Sequence, residues 1–144
     1  MIEEDTVKLL RECDAGIEMG IGSIEDVLKY VKDTNMKNAL NNNKREHDVL
    51  KTEIEAALHR FHDDGKDPNP VAQGMSKIKT DITMMVAEPE KNAADLITDG
   101  CNMGVKSLSK YLNQYKAADE TAKDITRRLI NIEEALAKEM RPFL

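Results

Sequence analysis

Apolar residues recur along this chain at alternating steps of three and four, the spacing that places them on one face of an α-helix. In the N-terminal half they form two stripes, one through Val7, Leu10, Asp14, Ile17, Ile21, Ile24, Leu28 and Val31, the other through Met36, Leu40, Asn43, His47, Leu50, Ile54, Ala57 and Phe61. Residues 32–35 between the stripes suit a tight link. The pattern therefore predicts two long antiparallel helices.

The same spacing returns after an interruption rich in Asp, Gly, Asn and Pro over residues 63–70, which ends the second helix. A short amphipathic helix is predicted over residues 71–87, and Pro89 suits the first turn of a third long helix. The last two stripes are Ala94, Ile97, Cys101, Val105, Leu108, Leu112 and Tyr115, then Ala118, Ala122, Ile125, Leu129, Ile132, Leu136 and Met140. The chain is thus predicted to be one all-α domain over residues 1–144.

The links between the four long helices are unequal: short, long and short. That order is typical of a helical bundle with one crossover connection. With residues 14–20, 43–53 and 118–134 on its inner faces, the chain resembles the ferritin-like four-helix bundles. Among these it is most similar to the small bacterial ferritin-like domains of unknown function. The resemblance implies a bundle whose long crossover contains the short helix.

Composition narrows the classes of partner. The chain has 21 Lys and Arg against 27 Asp and Glu, a net charge of −6, which argues against nucleic-acid binding. No apolar run approaches the roughly 18 residues that a membrane span needs. The acidic N-terminus, residues 1–5, is unlike a signal peptide. Because Cys13 and Cys101 form no disulfide framework, a cytoplasmic protein with reduced thiols is expected.

A ferritin-like di-iron centre requires Glu from two helices and a Glu-x-x-His from each of the other two. The three histidines here are His47, His59 and His62, and none has Glu three positions before it. The predicted function is therefore a non-catalytic interaction role or a stress-related or structural role, without a cofactor. A homodimer through one face of the bundle is a partner arrangement that this role allows.

Polar residues interrupt the second apolar stripe at Asn43 and His47. Counting outward from the turns places His47 near Cys101, with Glu133 and Glu18 flanking the same layer. The main prediction for His47 is a core imidazole bonded to a carboxylate or hydroxyl. The alternative is a redox protein that binds iron, manganese or zinc through Glu18, Glu46 and His47.

Two further patterns predict contacts between helices. Asp14 interrupts the first stripe and is predicted to form a salt bridge with Arg127 or Arg128. Glycines also recur four residues apart, as Gly16 and Gly20 in the first helix and as residues 100 and 104 in the third. A glycine costs about 1 kcal/mol in a helix interior, so this spacing predicts close helix packing.

Overall fold

The computed structural model describes residues 2–63 and 87–144. Within these ranges the chain forms no strand and has the following α-helices: α1 (Ile2–Leu28), α2 (Thr34–His59), α3 (Pro89–Gln114) and α4 (Glu120–Met140), with a 3-10 turn over Arg141–Phe143. The predicted all-α class and its four long helices are confirmed. The predicted crossover helix, apart from residue 87, lies outside the described residues.

Two aspartates determine where α2 and α4 begin. The carboxylate of Asp33 accepts a hydrogen bond from the backbone N–H of Met36 at 2.8 Å, and Asp119 accepts one from Ala122 at 2.8 Å. Such N-caps satisfy backbone donors that have no partner inside the helix. Because Asp119 caps α4, the first residue of this helix is Glu120. The apolar stripe predicted for the helix starts two residues earlier, at Ala118.

Helices α1 and α2 run antiparallel, as predicted. The Lys44 ammonium on α2 lies 3.1 Å from the Glu25 carboxylate on α1, and Lys51 forms an ion pair with Glu18. Residue numbers therefore rise along α2 as they fall along α1. A tight link joins them, as predicted, but it spans residues 29–33 and not 32–35, because α1 ends at Leu28 and α2 begins at Thr34.

Helices α1 and α4 run parallel. The Thr6 hydroxyl accepts a hydrogen bond from the Asp119 backbone N–H at 2.8 Å, and the Cys13 thiol lies 3.2 Å from the Thr126 hydroxyl. Residue numbers rise together along the two helices. This direction is what a bundle with one crossover requires.

Helix α3 runs antiparallel to α1. At its C-terminal end the Ala117 N–H donates to Asp5 near the start of α1, at 3.0 Å. At its N-terminal end the Glu90 carboxylate accepts from the Lys32 N–H, just beyond the end of α1, at 3.5 Å. Helices α2 and α3 therefore point the same way, and the end of α2 and the start of α3 lie at opposite ends of the bundle.

The core consists of two apolar clusters stacked along the bundle. The larger fully buried residues of the first are Leu9, Leu10, Ile17, Ile54, Leu58, Ile125 and Leu129. Those of the second are Ile24, Met36, Leu40, Leu136 and Met140. Each such side chain contributes about 1.5–3 kcal/mol relative to exposure, so these clusters are the main source of stability.

The apolar clusters belong to amphipathic helices. In the part of the chain that the structure describes, no helix combines the length and the apolar character needed to cross a bilayer. The outer faces of the four helices carry charged residues, as is usual for helices with one face in water.

Candidate functional site

Three buried polar side chains separate the two apolar clusters. His47 and Asn43 of α2 and Glu133 of α4 expose 1%, 3% and 7% of their surface. Burial of a polar or charged group costs free energy unless it is paired. We call these three residues the central layer; they are the candidate site because their burial needs an explanation.

The imidazole of His47 has two different neighbours. Its Nδ1 lies 3.0 Å from the backbone oxygen of Asn43, one turn earlier in α2. A carbonyl oxygen only accepts, so Nδ1 carries the hydrogen and donates it. In the neutral ring Nε2 is then an acceptor, and it lies 3.6 Å from Oε1 of Glu133. The contact is favourable when one proton lies between these two acceptors.

Asn43 connects α2 to α4. Its side-chain Nδ2 donates a hydrogen bond of 2.8 Å to the backbone oxygen of Ile132. A sliding of either helix by one turn would break this bond and leave a buried donor without a partner. The bond between Asn43 and Ile132 therefore holds α2 and α4 in register.

The two cysteines are free, and both are buried. Burial raises the pKa of the Cys101 thiol to about 12, and the neighbouring Glu133 carboxylate acts in the same direction. Burial also raises the pKa of Cys13 to about 12, against the opposing effect of its hydrogen bond with Thr126. Since the thiolate is the nucleophile, neither cysteine is reactive near neutral pH.

These thiols should make the stability fall at alkaline pH. Both have a raised pKa in the folded state, so above the ordinary thiol value of 9.0 the unfolded chain loses protons that the folded chain retains. The free energy of unfolding should therefore decrease as the pH rises from 9.0 toward about 12. Urea unfolding followed by circular dichroism at neutral pH and at about pH 10 measures the decrease.

The matched control is the double variant Cys13→Ala/Cys101→Ala, which removes both titrating groups. It should lose less stability between the two pH values than the wild-type chain, although it starts from a lower stability because methyl groups fill the thiol positions less well. An equal loss in both proteins would contradict the assignment of the alkaline decrease to the thiols.

The glycines have two different surroundings. A Cβ added at Gly20 would lie 3.0 Å from Nε2 of His47, and one at Gly104 would lie 2.7 Å from Oε2 of Glu133. At Gly16 and Gly100 an added Cβ would meet no atom within 4 Å. The predicted close packing is therefore corrected: Gly20 and Gly104 make room for the central layer, whereas Gly16 and Gly100 do not lie in a tight contact.

The structure does not bring the three sequence-predicted metal ligands to one place. Glu18 forms its ion pair with Lys51 between α1 and α2, and Glu46 is exposed beside a shallow apolar groove between α2 and α4. Only His47 points into the interior. Over residues 2–63 and 87–144, no three or more His, Cys, Asp or Glu side chains are placed to hold a metal ion.

Glu133 is a site residue that the sequence does not single out. The sequence predicts it only as one of the carboxylates that flank the layer of His47. In the structure it is the one whose Oε1 faces Nε2 of His47. Its neighbour Ile132 lies in the apolar stripe of α4, so a rotation of the helix by one residue decides which of the two side chains points inward.

Arg128 and Arg127, the predicted salt-bridge partners of Asp14, are paired with other carboxylates. The Arg128 guanidinium binds both carboxylate oxygens of Glu53 on α2, at 2.9 and 2.7 Å, and Asp124 at 3.0 Å. Arg127 instead lies 4.0 Å from Glu120. Antiparallel α2 and α4 bring Glu53 level with Arg128, so the bidentate bond connects these two helices.

Comparison with known proteins does not identify this chain. No protein-family model, no curated protein and no solved structure matches this chain. What the protein does is therefore inferred from the helix directions and from the chemistry of the central layer.

Proposed function

We propose that the chain is a ferritin-like bundle without catalytic chemistry, with a structural or protein-interaction role. The helix directions support the fold part of this proposal. Helices α1 and α4 run one way, and α3 runs antiparallel to α1, as in bundles with one crossover.

The functional part of the proposal rests on the hydrogen bonds that the residues of the central layer form. Asn43 donates to the backbone of α4 at Ile132, and His47 donates back to the backbone of its own helix. The bond of Asn43 holds α2 and α4 in register, a role for which buried polar residues are well attested. Both thiols are protonated near neutral pH, so neither cysteine supplies an activated nucleophile.

One observation favours a metal-binding role as the second candidate. Nε2 of His47 has no hydrogen-bond partner among the described residues and faces the Glu133 carboxylate. Imidazole and carboxylate are ligands for iron, manganese or zinc. Such an ion would be held by His47 and Glu133 in place of the predicted Glu18 and Glu46. The described residues do not fit a di-iron centre, because residues 2–63 and 87–144 bring no three or more His, Cys, Asp or Glu side chains together for one.

Metal analysis of protein purified without chelators separates the two candidates. The proposed structural role predicts iron, manganese and zinc well below one ion per chain, because two protein ligands rarely hold a metal ion firmly. Inductively coupled plasma mass spectrometry measures all three metals in one sample, for the wild type and the variants His47→Ala and His59→Ala.

His59 is the matched control because it lies on the same helix but is exposed. A stoichiometric metal that is lost in His47→Ala and kept in His59→Ala would overturn the structural proposal in favour of the metal-binding one. A metal lost only in His59→Ala would be bound at the surface, and the structural proposal would stand.

A further inference from the structure

The outer face of α3 carries a stripe of exposed residues that α1, α2 and α4 do not cover. At steps of three and four, and within about 100° of the helix circumference, these are Asp95, Asp99, Asn102, Met103, Lys106 and Lys110. Met103 exposes 70% of its surface, the largest value among the exposed large apolar residues of the described chain. Methionine is more frequent in protein–protein interfaces than on the rest of a protein surface.

The charges along this stripe are ordered by sign. The acidic residues Asp95 and Asp99 precede Met103, and the basic residues Lys106 and Lys110 follow it. Asp99 and Lys106 lie equally far from the midpoint between residues 102 and 103, and so do Asp95 and Lys110. Among residues 2–63 and 87–144, none of the four charged groups has an ion-pair or hydrogen-bond partner.

The helix dipole does not account for the whole pattern. Acidic residues near an N-terminus and basic residues near a C-terminus are stabilised by the dipole, but only within the first and last turns. Asp99 and Lys106 lie in the middle of α3, whose ends are Pro89 and Gln114. The dipole therefore does not explain why Asp99 and Lys106 lie on this face.

We propose that α3 binds the α3 helix of a second copy of this chain in an antiparallel orientation. A two-fold axis through the midpoint of the stripe places Asp99 of each copy opposite Lys106 of the other, and Asp95 opposite Lys110. Two-fold contacts repeat every pair, so the interface contains four ion pairs around the two Met103 side chains. A parallel orientation would instead bring like charges together.

This inference rests on the proposed interaction role and names its partner. The dimer and the proposed interaction role are tested by separate measurements. A monomeric protein without metal would overturn the dimer and leave the proposed role intact, whereas a dimer with one tightly bound metal per chain would overturn the proposed role alone.

Analytical ultracentrifugation over a concentration series tests the dimer. It is applied to the wild type, to a variant with one charge reversed, and to a double variant in which the opposite charge is reversed as well. Asp99→Lys creates two like-charge contacts across the axis, and the dissociation constant should rise about tenfold or more. Asp99→Lys/Lys106→Asp exchanges the two charges, so every contact again joins opposite signs and the affinity should return to within about threefold of the wild type.

Glu55→Lys is the matched control, since Glu55 is an exposed acidic residue on α2, away from the stripe. It should leave the dissociation constant unchanged. A wild-type chain that is monomeric at about 1 mM, where even weak specific association is visible, would overturn the proposal. A dimer that is equally stable with Asp99→Lys would overturn it as well.

A cross-link gives an independent readout of the geometry. Asn102→Cys places a thiol beside the two-fold axis, so mild oxidation should yield a disulfide-linked dimer, while the native thiols are buried and protonated. Val49→Cys is the control, because Val49 is 62% exposed on α2. Equal cross-linking through both positions would contradict an interface at α3.

Discussion

Replacement of His47 by Leu should lower the free energy of unfolding by about 3 kcal/mol or more. The new side chain is similar in size to imidazole, so the cost does not come from a cavity. It arises because Glu133, which is only 7% exposed, loses the ring nitrogen that faces it at 3.6 Å. The Cys101 thiol that remains beside Glu133 is only a weak donor, so the buried carboxylate is left poorly paired, which is strongly destabilising. Urea denaturation followed by circular dichroism measures the loss.

The double variant His47→Leu/Glu133→Leu tests whether this loss comes from the pair. Removal of both polar groups eliminates the buried charge, so the stability should return to within about 1 kcal/mol of the wild type or exceed it. If the loss of unfolding free energy in the double variant equals the sum of the losses in the two single variants, His47 and Glu133 do not act as a pair.

Replacement of Gly104 by Ala should destabilise the protein by about 1–3 kcal/mol, although alanine is the better helix former. The added Cβ would lie 2.7 Å from Oε2 and 3.1 Å from Cδ of Glu133. The carboxylate would have to move, and its contact with His47 would be disturbed. Thermal unfolding of the variant and the wild type under identical conditions measures the change.

Gly100→Ala is the matched control, one turn earlier in α3. Nothing lies within 4 Å of a Cβ at this position, so only the gain in helix propensity remains, and the variant should be about 1 kcal/mol more stable than the wild type. Equal effects of the two substitutions would show that Gly104 has no special role beside Glu133.

The sequence alone determined the elements of this fold and much of its arrangement. Helical periodicity and capping residues act within a few positions along the chain, so the four helices and the turn before α2 were predictable. The antiparallel pairing of α1 and α2 followed from the short link, because a short link leaves no other direction. The layer of His47 could be counted from that turn.

The tertiary structure decided which side chains meet within a layer. Adjacent residues of a helix point about 100° apart. The rotation of α4 about its own axis therefore determines whether Ile132 or Glu133 faces His47. In the same way Arg128 met Glu53 on α2 and not Asp14 on α1. The glycines show the same limit: Gly100 and Gly104 have the same sequence spacing as a close-packing pair, yet only Gly104 lies against another side chain. Periodicity reports which face of a helix is buried, but the contacts on that face depend on the rotation and tilt of every helix packed against it.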